Sequence, residues 1–165
     1  MLSRRPRDTV ALAGLVAFVL SAALTLLRGE ELWNGSDAQY LLSGMLLADG
    51  HDLYGEVAAA QPPLMYALVA GATTVHDSWE SARALFSGLQ AVTAVLVAAL
   101  ALRLGAPRWA ALLGGAWALL TPWALHEHGY VLPENVAAPL LLGTVLAVGA
   151  ARPRLAGVLM ALAIG

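Results

Sequence analysis

Long apolar runs without charge alternate with short polar stretches along this chain. Residues 9–27 carry no charged side chain, a run long enough to cross roughly 30 Å of hydrocarbon as a helix. Similar runs follow at residues 84–102, 109–125 and 136–151, and another begins at residue 155 and stops at Gly165. The second is interrupted only by Ser87, Gln90 and Thr93. The third carries Trp109, Trp117 and Trp123, with the outer two where interfacial aromatics belong. The fourth contains Pro139 in its first turn, where proline is tolerated. The expected fold class is therefore all-α: a polytopic transmembrane helical bundle, whose last run breaks off in mid-span as in a truncated chain.

The polar stretches between these runs predict shorter elements. In residues 28–83, Ser36 with Gln39 has the form of a capping box. The residues that follow are mostly apolar up to Asp49-Gly50, a turn that closes a helix over about 37–48. Gln61-Pro62-Pro63 then opens a second short helix over about 62–75, since proline suits a first helical position. Both helices are expected to lie along the membrane surface. A second short polar stretch covers residues 126–135.

Charge decides the arrangement of these elements. Arg4, Arg5 and Arg7 precede the first run, as they would in a signal peptide. A cleavable signal has an apolar region of about 7–15 residues and a small-residue cleavage site. This run is longer and leaves through Leu26-Leu27-Arg28-Gly29-Glu30, which reads as an uncleaved anchor with a cytoplasmic N-terminus. The helix at 62–75 is only about two-thirds of a span. Counting it as transmembrane, rather than as interfacial or re-entrant, would put Arg103 and Arg108 outside. Treated as interfacial, it leaves Arg103, Arg108, Arg152 and Arg154 on the same side as the N-terminal arginines. Of the 11 acids, all but Asp8 then fall on the outer side, in the loops 28–83 and 126–135.

Composition sharpens this picture. Hydrophobic residues make up 59% of the 165 and charged residues 12%, about half the charge of an ordinary soluble domain. Cysteine is absent, which excludes disulfides and thiolate metal sites, and a net charge of −2 with no basic stripe excludes nucleic acid as a partner. The spans are empty of charge, whereas a transporter carries ionisable groups or helix breaks near the midplane.

Candidate chemistry therefore sits in the outer segments. Asp37 is either a carboxylate stabilising its own helix dipole or a general base at the membrane surface. Tyr40 lies one turn later on the same face, either to hold a phosphate or as an interfacial aromatic. His126 and His128 flank Glu127, and could bind a divalent metal or simply be solvated. Glu134 stands at the mouth of the fourth run, as a cap or as a functional acid.

The order of these features resembles the N-terminal part of GT-C glycosyltransferases of the protein O-mannosyltransferase and aminoarabinose-transferase type (families 39 and 83). The resemblance rests on Asp37-Ala38-Gln39-Tyr40, Leu53-Tyr54-Gly55, Gln61-Pro62-Pro63-Leu64, Ala82-Arg83 and the stretch from Tyr130 to Glu134. It implies a multi-pass enzyme of the cell membrane that moves a sugar from a polyprenyl-phosphate-linked donor to a lipid, glycan or protein acceptor on the outer face. Asp37 and Glu134 would be its catalytic acids. Tyr40, Gln61 and Arg83 would contact substrate or lipid phosphate, although Gln61 replaces the lysine that many relatives carry. Some branches use a divalent metal and others none, so the resemblance names no cofactor. By this reading the fragment alone is inactive, and the alternative is a non-catalytic polytopic protein or a piece of a transporter.

Overall fold

The computed structural model describes residues 4–28, 35–76 and 78–164, and they are helical almost throughout. The chain is all-α, with α1 over Arg4–Arg28, α2 Gly35–Ala48, α3 Pro63–Val75, α4 Trp79–Arg103, α5 Arg108–Leu120, α6 Pro122–His126, α7 Pro133–Gly149 and α8 Pro153–Ile164. Glu30, Glu31 and Asp77 lie outside the described residues, as does the final Gly165.

Local chemistry sets the boundaries. Helix α2 is already under way at Gly35, one residue before the expected cap at Ser36. Its end matches the expected turn: the N–H groups of Gly50 and His51 donate back to the carbonyls of Leu47 and Leu46 at 3.1 Å, with Gly50 at φ 93°. Pro62 caps α3 and Pro63 occupies its first position. The span expected over residues 109–125 is not one helix. Pro122 pushes the preceding Thr121 to ψ 147°, and the Thr121 hydroxyl accepts from the Ala124 N–H at 3.1 Å to start α6. Helix α5 is left with 13 residues, roughly 20 Å of rise.

Two of the described helices are long and apolar enough to cross a membrane, Arg7–Leu27 in α1 and Trp79–Arg103 in α4. Helix α4 is the hub, packing against α1, α3, α5 and α7. Ser21 of α1 bonds to Ser87 near the start of α4, while Gly14 lies against Val95 further along, so the two long helices run antiparallel. Gln90 reaches Asn135 and Arg103 reaches the Leu146 carbonyl at 2.6 Å, so α7 runs parallel to α4.

Two apolar cores follow. Leu41, Met65, Tyr66, Val69, Phe86, Val131 and Val136 join α2, α3, α4 and α7 at one end. Ala17, Ala91, Ala94 and Leu119 join α1, α4 and α5 further down. Small residues bring the second group close: a Cβ on Gly115 would come within 2.8 Å of the Ala94 carbonyl oxygen.

Candidate functional site

The residues singled out in the sequence gather at the end of the bundle where α4 begins. Asp37, in the first turn of α2, is wholly buried. A buried carboxylate needs both a counter-charge and donors. Arg83 of α4 supplies the charge through Nη2 to Oδ2, and the backbone N–H of Val131 donates to Oδ1 at 2.6 Å. The Arg83 side chain is 12% exposed. Its guanidinium lies 4.9 Å from the ring centroid of Trp79 and 5.4 Å from that of Tyr130, distances at which an aromatic face stabilises a cation. Asp37 therefore ties α2, α4 and the segment before α7 together. The resemblance implied Asp37 as a catalytic acid and Arg83 as a contact to substrate or phosphate; here the two are paired directly, and neither carboxylate oxygen faces open space.

A second group forms around Gln61. Its side-chain amide donates to the Tyr40 hydroxyl at 3.3 Å, its backbone N–H donates to the Tyr66 hydroxyl at 3.3 Å, and its carbonyl accepts from the Tyr54 hydroxyl at 2.7 Å. Tyr40 and Tyr66 pack edge to face, 6.3 Å between centroids. Gln61 and Glu134 line a cleft of about 290 Å³ together with Leu64, Met65, Val136 and Leu162. Glu134 is exposed in the first turn of α7. Gln61 and Glu134 thus border one space, and Tyr40 is joined to it through its bond with Gln61.

The loop between α2 and α3 is folded on itself. Glu56 accepts from the Asp52 N–H at 3.1 Å and faces His51 Nδ1 at 3.1 Å. The bond from Asp52, followed by the bond to His51, holds the Glu56 carboxyl below the usual carboxylate range. Tyr54, with φ 72°, turns the chain so that its hydroxyl reaches Gln61.

The two histidines go separate ways. His126 is exposed and stacks edge-on to Tyr130 at 6.3 Å. His128 is buried against α1, with Nε2 3.1 Å from the Ser21 carbonyl and 3.4 Å from the Ser21 and Thr25 hydroxyls. Among the described residues no group of three or more His, Asp or Glu converges on a point.

Gln90 has a role that the sequence pattern did not reveal. From inside α4 it donates to the Glu127 carbonyl at 3.2 Å and to Asn135 Oδ1 at 3.0 Å, and accepts from the Gly129 N–H at 3.1 Å. It braces the whole 126–135 segment. A buried amide in an otherwise apolar span was the available signal, though nothing in the sequence says which loop it holds. No protein-family model, no curated protein and no solved structure matches the chain.

Proposed function

We propose that this chain is a multi-pass membrane glycosyltransferase, or the N-terminal part of one, that transfers a sugar from a polyprenyl-phosphate-linked donor at the outer membrane face. The observation that carries the reading is the cleft lined by Gln61 and Glu134, at the same end of the bundle as the buried Asp37–Arg83 pair. A donor with its tail in lipid and its phosphate at the surface needs its polar groups at a bundle end, between short helices, where these residues lie. Charge supports the orientation. Arg103, Arg108, Arg152 and Arg154 occupy the opposite end of the bundle, which the positive-inside bias assigns to the cytoplasm together with the N-terminus.

In this mechanism Glu134 is the base, because it is the exposed carboxylate in the cleft. An acceptor hydroxyl oxygen attacks the anomeric carbon while its proton passes to Glu134. The bond from that carbon to the phosphate oxygen breaks, and the phosphate leaves with the electron pair. Asp37 holds Arg83 in place at this end of the bundle, and the side-chain amide of Gln61, which lines the cleft, is the donor to the leaving phosphate. No metal is required by these steps, and none is assigned.

The test uses the complete gene product in native membranes with a radiolabelled polyprenyl-phosphate sugar. Glu134→Gln is expected to lower turnover about 10²–10⁴-fold, the usual contribution of a general base. Full turnover in that variant removes the base assignment. If the unaltered protein also transfers no sugar, the second reading holds, a non-catalytic membrane scaffold. That reading is favoured by the sealed state of Asp37, which suits a structural clamp.

A further inference from the structure

At the opposite end of the bundle from the cleft, positive charge collects without a counterpart. Seven of the nine arginines lie there, and among the described residues the one acid at that end is Asp8. Arg7, Arg103, Arg108, Arg152 and Arg154 are exposed, and among the described residues none of them forms an ion pair. The positive-inside bias accounts for the side on which they lie. It does not account for three of them meeting at one corner.

That corner joins the end of α4 to the turn between α7 and α8. Arg103 donates from Nη1 to the Leu146 carbonyl at 2.6 Å, and the same nitrogen would lie 3.2 Å from a Cβ on Gly149. Its guanidinium therefore rests on the last turn of α7. The turn that follows is tightly closed. The Arg152 N–H donates to the Ala147 carbonyl at 3.0 Å and the Ala151 N–H to the Val148 carbonyl at 2.9 Å, with Ala151 at φ 53°. Arg103 and the Arg152 main chain thus bind adjoining carbonyls, and Arg154 follows in the first turn of α8. Along α7, leading to this corner, Leu141, Val145 and Val148 recur at i, i+4 and i+7 and are all exposed. The cations stand at the foot of an uncovered apolar stripe.

We propose that this corner binds an anionic phospholipid, its phosphate held by Arg103, Arg152 and Arg154 and its acyl chains laid along Leu141, Val145 and Val148. The guanidinium fork matches phosphate oxygens in pairs, and basic groups between spanning helices are where anionic head groups bind. A head group with no amine of its own leaves its whole negative charge to the arginines. The stripe selects a lipid over a soluble anion, because only a lipid brings chains to cover it. The proposal rests on the chain lying in a membrane and is independent of sugar transfer.

The purified full chain, stripped of lipid in detergent, is titrated with phosphatidylglycerol or phosphatidylcholine of identical acyl chains, and bound lipid is counted by native mass spectrometry. Each arginine near an anionic head group contributes about five-fold in affinity. Phosphatidylglycerol is therefore expected to bind about 100-fold more tightly than phosphatidylcholine. Arg152→Gln combined with Arg154→Gln should remove about 25-fold of that, while Arg108→Gln, at the start of α5, should leave it unchanged. Equal binding of the two lipids overturns the proposal, as does full affinity in the double variant. A five-fold loss in Arg108→Gln overturns it too, since diffuse charge rather than the corner would then hold the lipid. Displacement of the lipid by an equal concentration of inorganic phosphate or polyglutamate makes the corner a site for soluble anions and also overturns it. Should the double variant fail to fold, the contrast between the two lipids on the unaltered protein still decides.

Discussion

At the scale of single residues, the buried pair of Asp37 and Arg83 is the costliest contact to break at the end of the bundle where α4 begins. Removing one partner of a buried pair leaves the other charge uncompensated and costs about 3–5 kcal/mol. Asp37→Ala is expected to destabilise the protein by that amount in denaturant titrations. Asp37→Ala combined with Arg83→Met should cost less than the sum of the single changes, since the double variant leaves no orphaned charge; strict additivity would show that the pair is not coupled. Glu56 shows the opposite situation, a solvent-exposed carboxyl shaped by local bonds. Its folded titration lies below its unfolded one, so its stabilising effect is present above the ordinary carboxylate range and fades as the pH falls through the folded value. An NMR titration should find Glu56 below free glutamate. His51→Ala should raise the midpoint only part of the way, because the Asp52 N–H still donates. These two acids look alike in the sequence, each a carboxylate in the stretch 28–83. Only the partners brought to Asp37 from α4 and from Val131, far along the chain, distinguish a sealed clamp from a surface charge.

At the scale of elements, helix ends were legible wherever proline or glycine dictated them. Pro62-Pro63 opens α3, and Gly50 closes α2. The division of the expected 109–125 span into α5 and α6 follows from Pro122, a signal present in the sequence but outweighed by an apolar run of spanning length. Glycines inside helices give a sharper contrast. Gly71 on the exposed face of α3 has open space where a Cβ would go, whereas a Cβ on Gly115 would meet the backbone of α4. Gly71→Ala is therefore expected to stabilise by roughly 0.5–1 kcal/mol, the ordinary helix-propensity gain. Gly115→Ala should instead destabilise by about 1–3 kcal/mol, because a backbone carbonyl cannot move aside cheaply. Thermal unfolding of the two variants side by side checks this; a stabilised Gly115→Ala would show that α4 and α5 are not in close contact. Sequence alone treats both glycines identically.

For the whole molecule, the separation of charge between the two ends of the bundle has a measurable consequence. The proposed orientation places the α2–α3 loop outside and the α4–α5 turn in the cytoplasm. The chain has no cysteine of its own, so single cysteines report cleanly. In intact cells, Glu56→Cys should react with a membrane-impermeant thiol reagent, and Leu104→Cys, also exposed, should react only after permeabilisation. Labelling of both from the same side would remove the proposed topology.

What the sequence determined by itself was what local physics controls. Charge-free runs dictate helices, proline and glycine punctuate them, and the sorting of arginines from acids follows from the order of those runs. The tertiary structure decided everything that depends on which residues meet. It paired Asp37 with Arg83, sent His126 to the surface and His128 to α1, and used Gln90 to hold the 126–135 segment. It also left Glu127 buried with an oxygen unsatisfied. Each of these outcomes turns on burial and on a partner distant in the chain, and neither quantity is written in the spacing of residues along one helix.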